Sequence, residues 1–275
     1  MSRWLGIIGA VILTVAAAQA WGPATHAYLV LKMPGGDNAD LDTVFGAMHP
    51  DLGAVAFGQK EFASRLKRLT HYEFDRLPRG PFALGVTLHN GAWGADRFAH
   101  RYLHGKDPTK FPADKVAELC QALGIDQKQG EDLFEFTLDA ALAIECGPEL
   151  GQRITASAQA SGKANEEALV DAYAAKLTEV VPGLTLAGAE QSIRWASRIH
   201  KTFLKAYGLQ LARSEAYILR NTPMFLARFL GCSRQEADRC FRTALEICHG
   251  LRPQLDALAV ELAGNLQSHP PQTKL

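Results

Sequence analysis

Apolar residues recur at helical spacing along most of the chain, and few stretches alternate with the period of two that is typical of strands. Two helix starts support this interpretation, since Asp126 or Gln127 begins one helix and Ser233, followed three residues later by Glu236, forms a capping box that opens another. The pattern predicts an all-α multi-helix bundle with helices at about residues 24–33, 58–71, 82–104, 113–123, 131–145, 165–180, 188–207, 211–230 and 233–264.

Composition and length fit one sizeable globular protein. The chain has 275 residues, of which 47% are apolar and 21% charged, as in ordinary globular domains. Lys plus Arg and Asp plus Glu both total 29, so no long-range field steers the chain to DNA or to an anionic membrane.

The first residues differ from the rest. Arg3 precedes an uncharged apolar run at 4–18, and Ala-Gln-Ala at 18–20 is a cleavage pattern. We therefore predict a signal peptide at 1–20 and a secreted or periplasmic mature chain that begins at Trp21. An uncleaved anchor is the alternative, although the apolar run is short for a membrane span.

Small and polar residues at 151–165 predict a connection between two parts of the mature chain. We expect a metal-binding helical core at 21–147 and a C-terminal helical region at 148–275 that packs on it. Six of the nine histidines lie between residues 21 and 147, so the chemistry is expected there. The five cysteines form no C-x-x-C pair, and we expect at least one free, buried thiol.

The predicted helix at 82–104 carries the main candidate chemistry. Steps of four, three, four and four residues place five side chains on one stripe, namely His89, Trp93, Asp96, His100 and His104. Imidazoles and a carboxylate on one rigid face suit a transition metal. A solvated polar face is the alternative, and His104, near the helix end, is expected at the surface.

Other candidates are weaker taken one at a time. Glu135 and Asp139 lie one turn apart on the next predicted helix, but acidic pairs at this spacing are common on solvated faces. His26, Asp51 and His71 lie upstream, where a lone histidine is more often structural than a ligand. Their order along the chain strengthens the case.

That order resembles the zinc-dependent phospholipase C family, which is related to the S1/P1 nucleases. The resemblance covers about residues 21–145 and is carried by the segments WGPATHAYLV, HPDLG, LTHYEF, FALGVTLHNGAWGADRFAH and EFTLD. It implies a helical bundle of the phospholipase C/P1 nuclease type with additional C-terminal helices. It also implies two or three zinc ions, one of them chelated by the amino group and carbonyl of the mature N-terminal tryptophan.

By this resemblance the metal ligands are Trp21, His26, Asp51, His71, His89, Asp96, His100, Glu135 and Asp139. Trp21 and His26 would hold one zinc ion, and Asp96 would bridge to a second. Asp51, His71 and His89 would complete the second site. His100 would join Glu135 and Asp139 of the next helix around a third.

Two positions depart from the family pattern. His89 and Asp96 are seven residues apart, whereas the family spaces this pair by four. Glu135 stands where the family has a histidine, which predicts a third site that binds zinc less tightly, prefers another divalent ion or is empty.

The resemblance implies hydrolysis of a phosphodiester in a glycerophospholipid, with peripheral membrane contact. Asp51 is then the catalytic candidate, since it could orient or deprotonate a water on the metals. An S1/P1-like nuclease or 3′-nucleotidase acting on nucleic acid is a second possibility. A non-catalytic, metal-stabilised binding domain is a third.

Overall fold

The computed structural model describes residues 21–56, 59–101, 103, 107 and 109–269. Within these ranges the chain forms thirteen α-helices, three short 3-10 helices and no strand, which confirms the predicted all-α class. The predicted signal peptide at 1–20 and the predicted surface residue His104 lie outside the described residues.

The helices follow one another with short connections. The α-helices are α1 Pro23–Lys32, α2 Leu41–Met48, α3 Lys60–Tyr72, α4 Pro81–His89, α5 Ala95–His100, α6 Ala113–Leu123, α7 Gln127–Cys146, α8 Pro148–Ala160, α9 Lys163–Val180, α10 Leu186–Leu211, α11 Glu215–Leu230, α12 Arg234–Cys248 and α13 Arg252–Ser268. The 3-10 helices are Gly36–Asn38, His49–Val55 and Phe74–Arg76.

The predicted helix start at Asp126 or Gln127 and the predicted capping box at Ser233 are confirmed. Asp126 and Gln129 form a capping box at the start of α7, and Ser233 and Glu236 form another at the start of α12. These contacts are local in sequence, which is why the sequence predicts them well.

Three predicted segments were wrong. The predicted continuous helix at 82–104 is broken into α4 and α5 by a turn at 90–94. The predicted connection at 151–165 is largely α8, whose small residues let it approach α10 closely; a Cβ on Gly151 would lie 2.3 Å from the backbone nitrogen of Ala212. The predicted helix at 233–264 ends at Cys248 and restarts at Arg252, with Gly250 at a φ of 78° between them.

The first helix, α1, lies at the centre of the fold. Eight of its ten residues are buried, and it contacts α2, α4, α7, α8 and α13. The Tyr28 hydroxyl donates to Asp256 at 2.6 Å and so ties α1 to the last helix. The buried apolar side chains form one core that draws on residues before and after 147.

Two glycines allow α2 and α4 to pack unusually closely. A Cβ on Gly46 would lie 2.2 Å from the carbonyl oxygen of Phe82, and one on Gly85 would lie 2.1 Å from that of Thr43. No side chain fits between the two backbones at these points. The close contact brings the end of α4, with His89, against the end of α2.

All five cysteines are free and Cys248 is buried, which confirms the expected free, buried thiol. Among the described helices, none combines the length and the apolar character that a membrane span requires.

Candidate metal centre

Five of the predicted ligands converge in the interior of the fold. His26, Asp51, His71, His89 and Asp96 are each at most 5% exposed. Their ligand atoms form two groups within which all atoms lie less than 4.8 Å apart, His26 with Asp51 and His89, and His71 with His89 and Asp96. His89 belongs to both groups. The ligands come from α1, α3, α4, α5 and the 3-10 helix His49–Val55, so no single element holds the site.

Backbone carbonyls fix the orientation of the two central histidines. The Nδ1 atom of His89 lies 2.7 Å from the carbonyl oxygen of Ala47, and that of His71 lies 2.7 Å from the carbonyl oxygen of Lys67. A carbonyl only accepts, so each Nδ1 carries the proton and donates it. In the neutral rings each Nε2 therefore presents a lone pair to the site.

The two lone pairs point toward one another. The Nε2 atoms of His71 and His89 are 3.1 Å apart, a distance at which two neutral acceptors cannot form a hydrogen bond. Two nitrogen ligands about 2.0–2.1 Å from one zinc ion are separated by a similar distance. A carbonyl on the opposite ring nitrogen is also the usual outer partner of a metal-ligating histidine.

Two carboxylates add negative charge at the same place. The Nε2 of His71 lies 3.5 Å from Asp51 Oδ1 and 3.6 Å from Asp96 Oδ1. The Oδ1 atoms of Asp51 and Asp96 are buried without a hydrogen-bond partner, and so are both ring nitrogens of His26. Buried polar atoms are seldom left without a partner, and bound cations would satisfy the two carboxylate oxygens and one ring nitrogen of His26.

The pKa values favour the protonation states that bind metal. Burial lowers the pKa of His89 to about 4, and burial together with the neighbouring His89 lowers that of His26 well below its ordinary value. Burial alone would raise the pKa of the Asp51 carboxyl, but the nearby His89 and His71 outweigh it and hold this pKa well below its usual range. Neutral imidazoles and an ionised carboxylate are the forms that ligate metals.

His26 reaches this centre from the first turns of α1. Its ring stacks on that of His89 with the centroids 4.0 Å apart. The buried Trp21 lies five residues earlier, before α1 begins, with its ring centroid 6.5 Å from that of His26. The structure groups His26 with Asp51 and His89, whereas the resemblance implied a site shared with Asp96.

The third predicted site has different neighbours from those expected. His100 Nε2 lies 3.8 Å from Asp96 Oδ1, and its Nδ1 lies 3.0 Å from Oε1 of Glu131, a residue that the sequence argument missed. Glu131 precedes Glu135 by four residues, so the face that carries Glu135 and Asp139 also carries Glu131. That periodicity was the signal that could have found it.

Glu135 is buried, and its Oε1 atom has no hydrogen-bond partner. Burial, with the neighbouring Glu131 and Asp132, raises the pKa of the Glu135 carboxyl well above its ordinary value. A cation beside it would remove that penalty. Asp139 is not part of either ligand group, because its oxygens face the start of α1 instead.

The turn at 90–94 aims Asp96 at the centre. The Asn90 side-chain oxygen accepts hydrogen bonds from the backbone N–H groups of Ala92, Trp93 and Gly94 at 2.8, 2.9 and 3.3 Å. The amide nitrogen of Asn90 donates back to the carbonyl of Thr87. This side chain therefore organises the chain reversal between α4 and α5, which places Asp96 beside His71.

We expect Asn90→Ala to weaken zinc binding by roughly 10–100-fold, as the loss of an outer support of a metal ligand typically does. The variant leaves the backbone N–H groups of Ala92 and Trp93 without their acceptor and loosens the turn that precedes Asp96, although Gly94 keeps its bond to the backbone carbonyl at position 90. Competition with a chromogenic chelator measures the affinity. Asn221→Ala is the matched control, since Asn221 donates within α11 to the carbonyl of Tyr217. Equal affinities of the two variants would contradict the role of the turn.

Comparison of the chain with models of known protein families, with curated proteins and with solved structures found no match. The interpretation of the centre therefore depends on the positions of its side chains within this fold.

Proposed function

We propose that this protein is a metal-dependent phosphodiester hydrolase of the zinc-dependent phospholipase C type. The observation that carries the proposal is the convergence of three buried imidazoles and two buried carboxylates, with unpartnered acceptor atoms, in two overlapping groups. Nitrogen and oxygen ligands of this kind suit zinc. The proposed reaction type and the phospholipase C/P1 nuclease type of helical bundle come from the resemblance of the sequence to that family.

Divalent ions held there would lower the pKa of a bound water and polarise the phosphate oxygens. The side chains around the ions would supply the rest of the chemistry. Asp51 stays ionised over the working pH range, because its pKa is held well below its usual value. A carboxylate with so low a pKa is a weak proton acceptor, so Asp51 serves better as a ligand that orients the water than as the base that deprotonates it.

The leading substrate class is a glycerophospholipid, from which the enzyme would release diacylglycerol and a phosphorylated head group. A nuclease or 3′-nucleotidase is the second candidate, and one observation favours it. Tyr72 follows His71 directly and is 59% exposed, and a Cβ on Gly91 would lie 2.9 Å from both its hydroxyl and Asp96 Oδ2. An exposed aromatic ring so near a ligand could stack on a base.

Two substrates separate these candidates. The chain loaded with zinc is incubated with phosphatidylcholine vesicles and with single-stranded DNA, and released phosphocholine and nucleotides are quantified. Tyr72→Ala should lower activity on DNA far more than activity on the lipid if stacking matters. Zinc binding with hydrolysis of neither substrate would contradict the enzymatic proposal and favour a metal-stabilised binding domain.

A further prediction concerns the N-terminus. A chain that begins at Trp21 should bind zinc with about 10-fold or higher affinity than one that keeps extra residues before it, because only the former offers a free α-amine as a ligand. Zinc content and affinity are measured on both, with N-terminal sequencing to verify the ends. Identical zinc content and affinity would show that the amine is not a ligand.

A further inference from the structure

The carboxylate of Asp139 faces the first turn of α1 rather than the metal centre. Its Oδ2 accepts the backbone N–H of Ala24 at 2.9 Å and the hydroxyl of Tyr207 at 2.5 Å. Its Oδ1 accepts the backbone N–H of Thr25 at 2.8 Å and the Thr25 hydroxyl at 2.6 Å. Asp139 is fully buried, and these four hydrogen bonds satisfy both of its oxygens.

This arrangement replaces the usual helix cap. The residue before α1 is Gly22, which has no side chain to cap the first turn, and Pro23 has no N–H to satisfy. Asp139 supplies the acceptor from α7, more than a hundred residues along the chain. A Cβ on Gly22 would lie 2.1 Å from Asp139 Oδ2, so the contact requires glycine at this position.

The capped turn leads directly to the metal centre. Thr25, which gives Asp139 two hydrogen bonds, precedes His26. His26 has no hydrogen bond to either ring nitrogen, so its own side chain has no polar anchor. Its position depends on the backbone of α1 and on the stacking with His89. Whatever fixes the start of α1 therefore fixes His26.

We infer that Asp139 is a positioning residue, which anchors the segment 21–26 so that His26 lies beside Asp51 and His89. The inference rests on the proposed function, since it assigns the anchor to a metal centre. Tyr207, on α10, completes the anchor by donating to the same carboxylate. The competing interpretation is an ordinary helix cap whose loss lowers stability and leaves metal affinity unchanged.

The test is zinc affinity, measured on the full chain by competition with a chromogenic chelator, at a temperature where circular dichroism shows every variant folded. Asp139→Ala should raise the zinc dissociation constant by roughly 10–100-fold. Asp126→Ala is the matched control, because it also removes a capping aspartate, at the start of α7. It should lower the melting temperature and leave zinc affinity unchanged.

Three further variants keep the test decisive if Asp139→Ala does not fold. Asp139→Asn keeps one acceptor oxygen, and Tyr207→Phe keeps both backbone contacts, so their affinities should fall between that of Asp139→Ala and the wild type, with Tyr207→Phe nearest the wild type. Gly22→Ala leaves the charge but displaces the carboxylate, and it should also weaken zinc binding.

The outcomes distinguish the two proposals. Wild-type affinity in the folded Asp139 and Gly22 variants would overturn the positioning role while leaving the metal centre intact. Failure of the wild-type chain itself to bind zinc would overturn the metal centre and the positioning role with it.

Discussion

Replacing His89 by alanine should remove the metal centre and lower phosphodiester hydrolysis by about a thousandfold or more. His89 is the one residue shared by both ligand groups, so its loss leaves neither with three ligands. A metal contributes several kcal/mol of stabilisation to the transition state, and each 1.36 kcal/mol is a factor of ten in rate. Elemental analysis and initial rates measure the two effects.

His200→Gln is the control for His89→Ala. His200 is also fully buried, and its Nδ1 lies 3.3 Å from Nδ1 of His49, but it belongs to neither ligand group. We expect this variant to retain its zinc and most of its activity while losing stability. A His89→Ala protein with full zinc content and full activity would exclude the proposed centre.

The buried histidines should lower the unfolding free energy of the metal-free protein by several kcal/mol between pH 7 and pH 4.5, an effect that Glu135 opposes because its raised pKa favours proton uptake by the folded chain. Four buried histidines have pKa values below the ordinary value, with burial the largest cause in each, namely His26, His49, His89 and His200. In the unfolded chain they take up protons near pH 6.5, whereas in the folded chain they do not. Their contribution to the unfolding free energy is thus complete above the pKa that they have in the unfolded chain. It is lost as the pH falls toward the pKa that they have in the folded chain.

The size of this loss follows from the shifts. Burial lowers the pKa of both His89 and His200 to about 4, which corresponds to about 2–3 kcal/mol for each across this pH range. Urea unfolding in the presence of a chelator at several pH values measures it. His200→Gln should reduce the dependence of unfolding free energy on pH by the contribution of one histidine. A His200→Gln profile as steep as that of the wild type would mean that this ring is not buried in its neutral form.

The sequence predicts the helical class and the capped helix starts because these depend on neighbouring residues, as at Asp126 and Ser233. The stripe from His89 to His100 contains residues that lie near one another in the structure, but the continuous helix that it assumed was wrong. Those residues meet because Asn90 organises a reversal of the chain between two short helices. Hydrogen bonds from the backbone to a side chain do not alter the spacing of apolar residues, so the sequence pattern does not predict them.

The choice among the carboxylates of α7 could not be made from spacing. Glu131, Glu135 and Asp139 share one face of α7. At one end of this face α1 packs and donates hydrogen bonds to Asp139, and at the other end His100 contacts Glu131. Only the packing of distant helices decides which carboxylate meets which partner.

The glycine contact between α2 and α4 has a consequence for how this centre can change. The carbonyl of Ala47 selects the tautomer of His89, and the distance from that carbonyl to the ring is set by backbone contact at Gly46 and Gly85. One added methyl group there would separate the helices, release the imidazole to rotate and allow its other nitrogen to face the candidate metal centre. If the proposed function is correct, the metal preference of this centre can therefore change through substitutions that alter none of the proposed ligands.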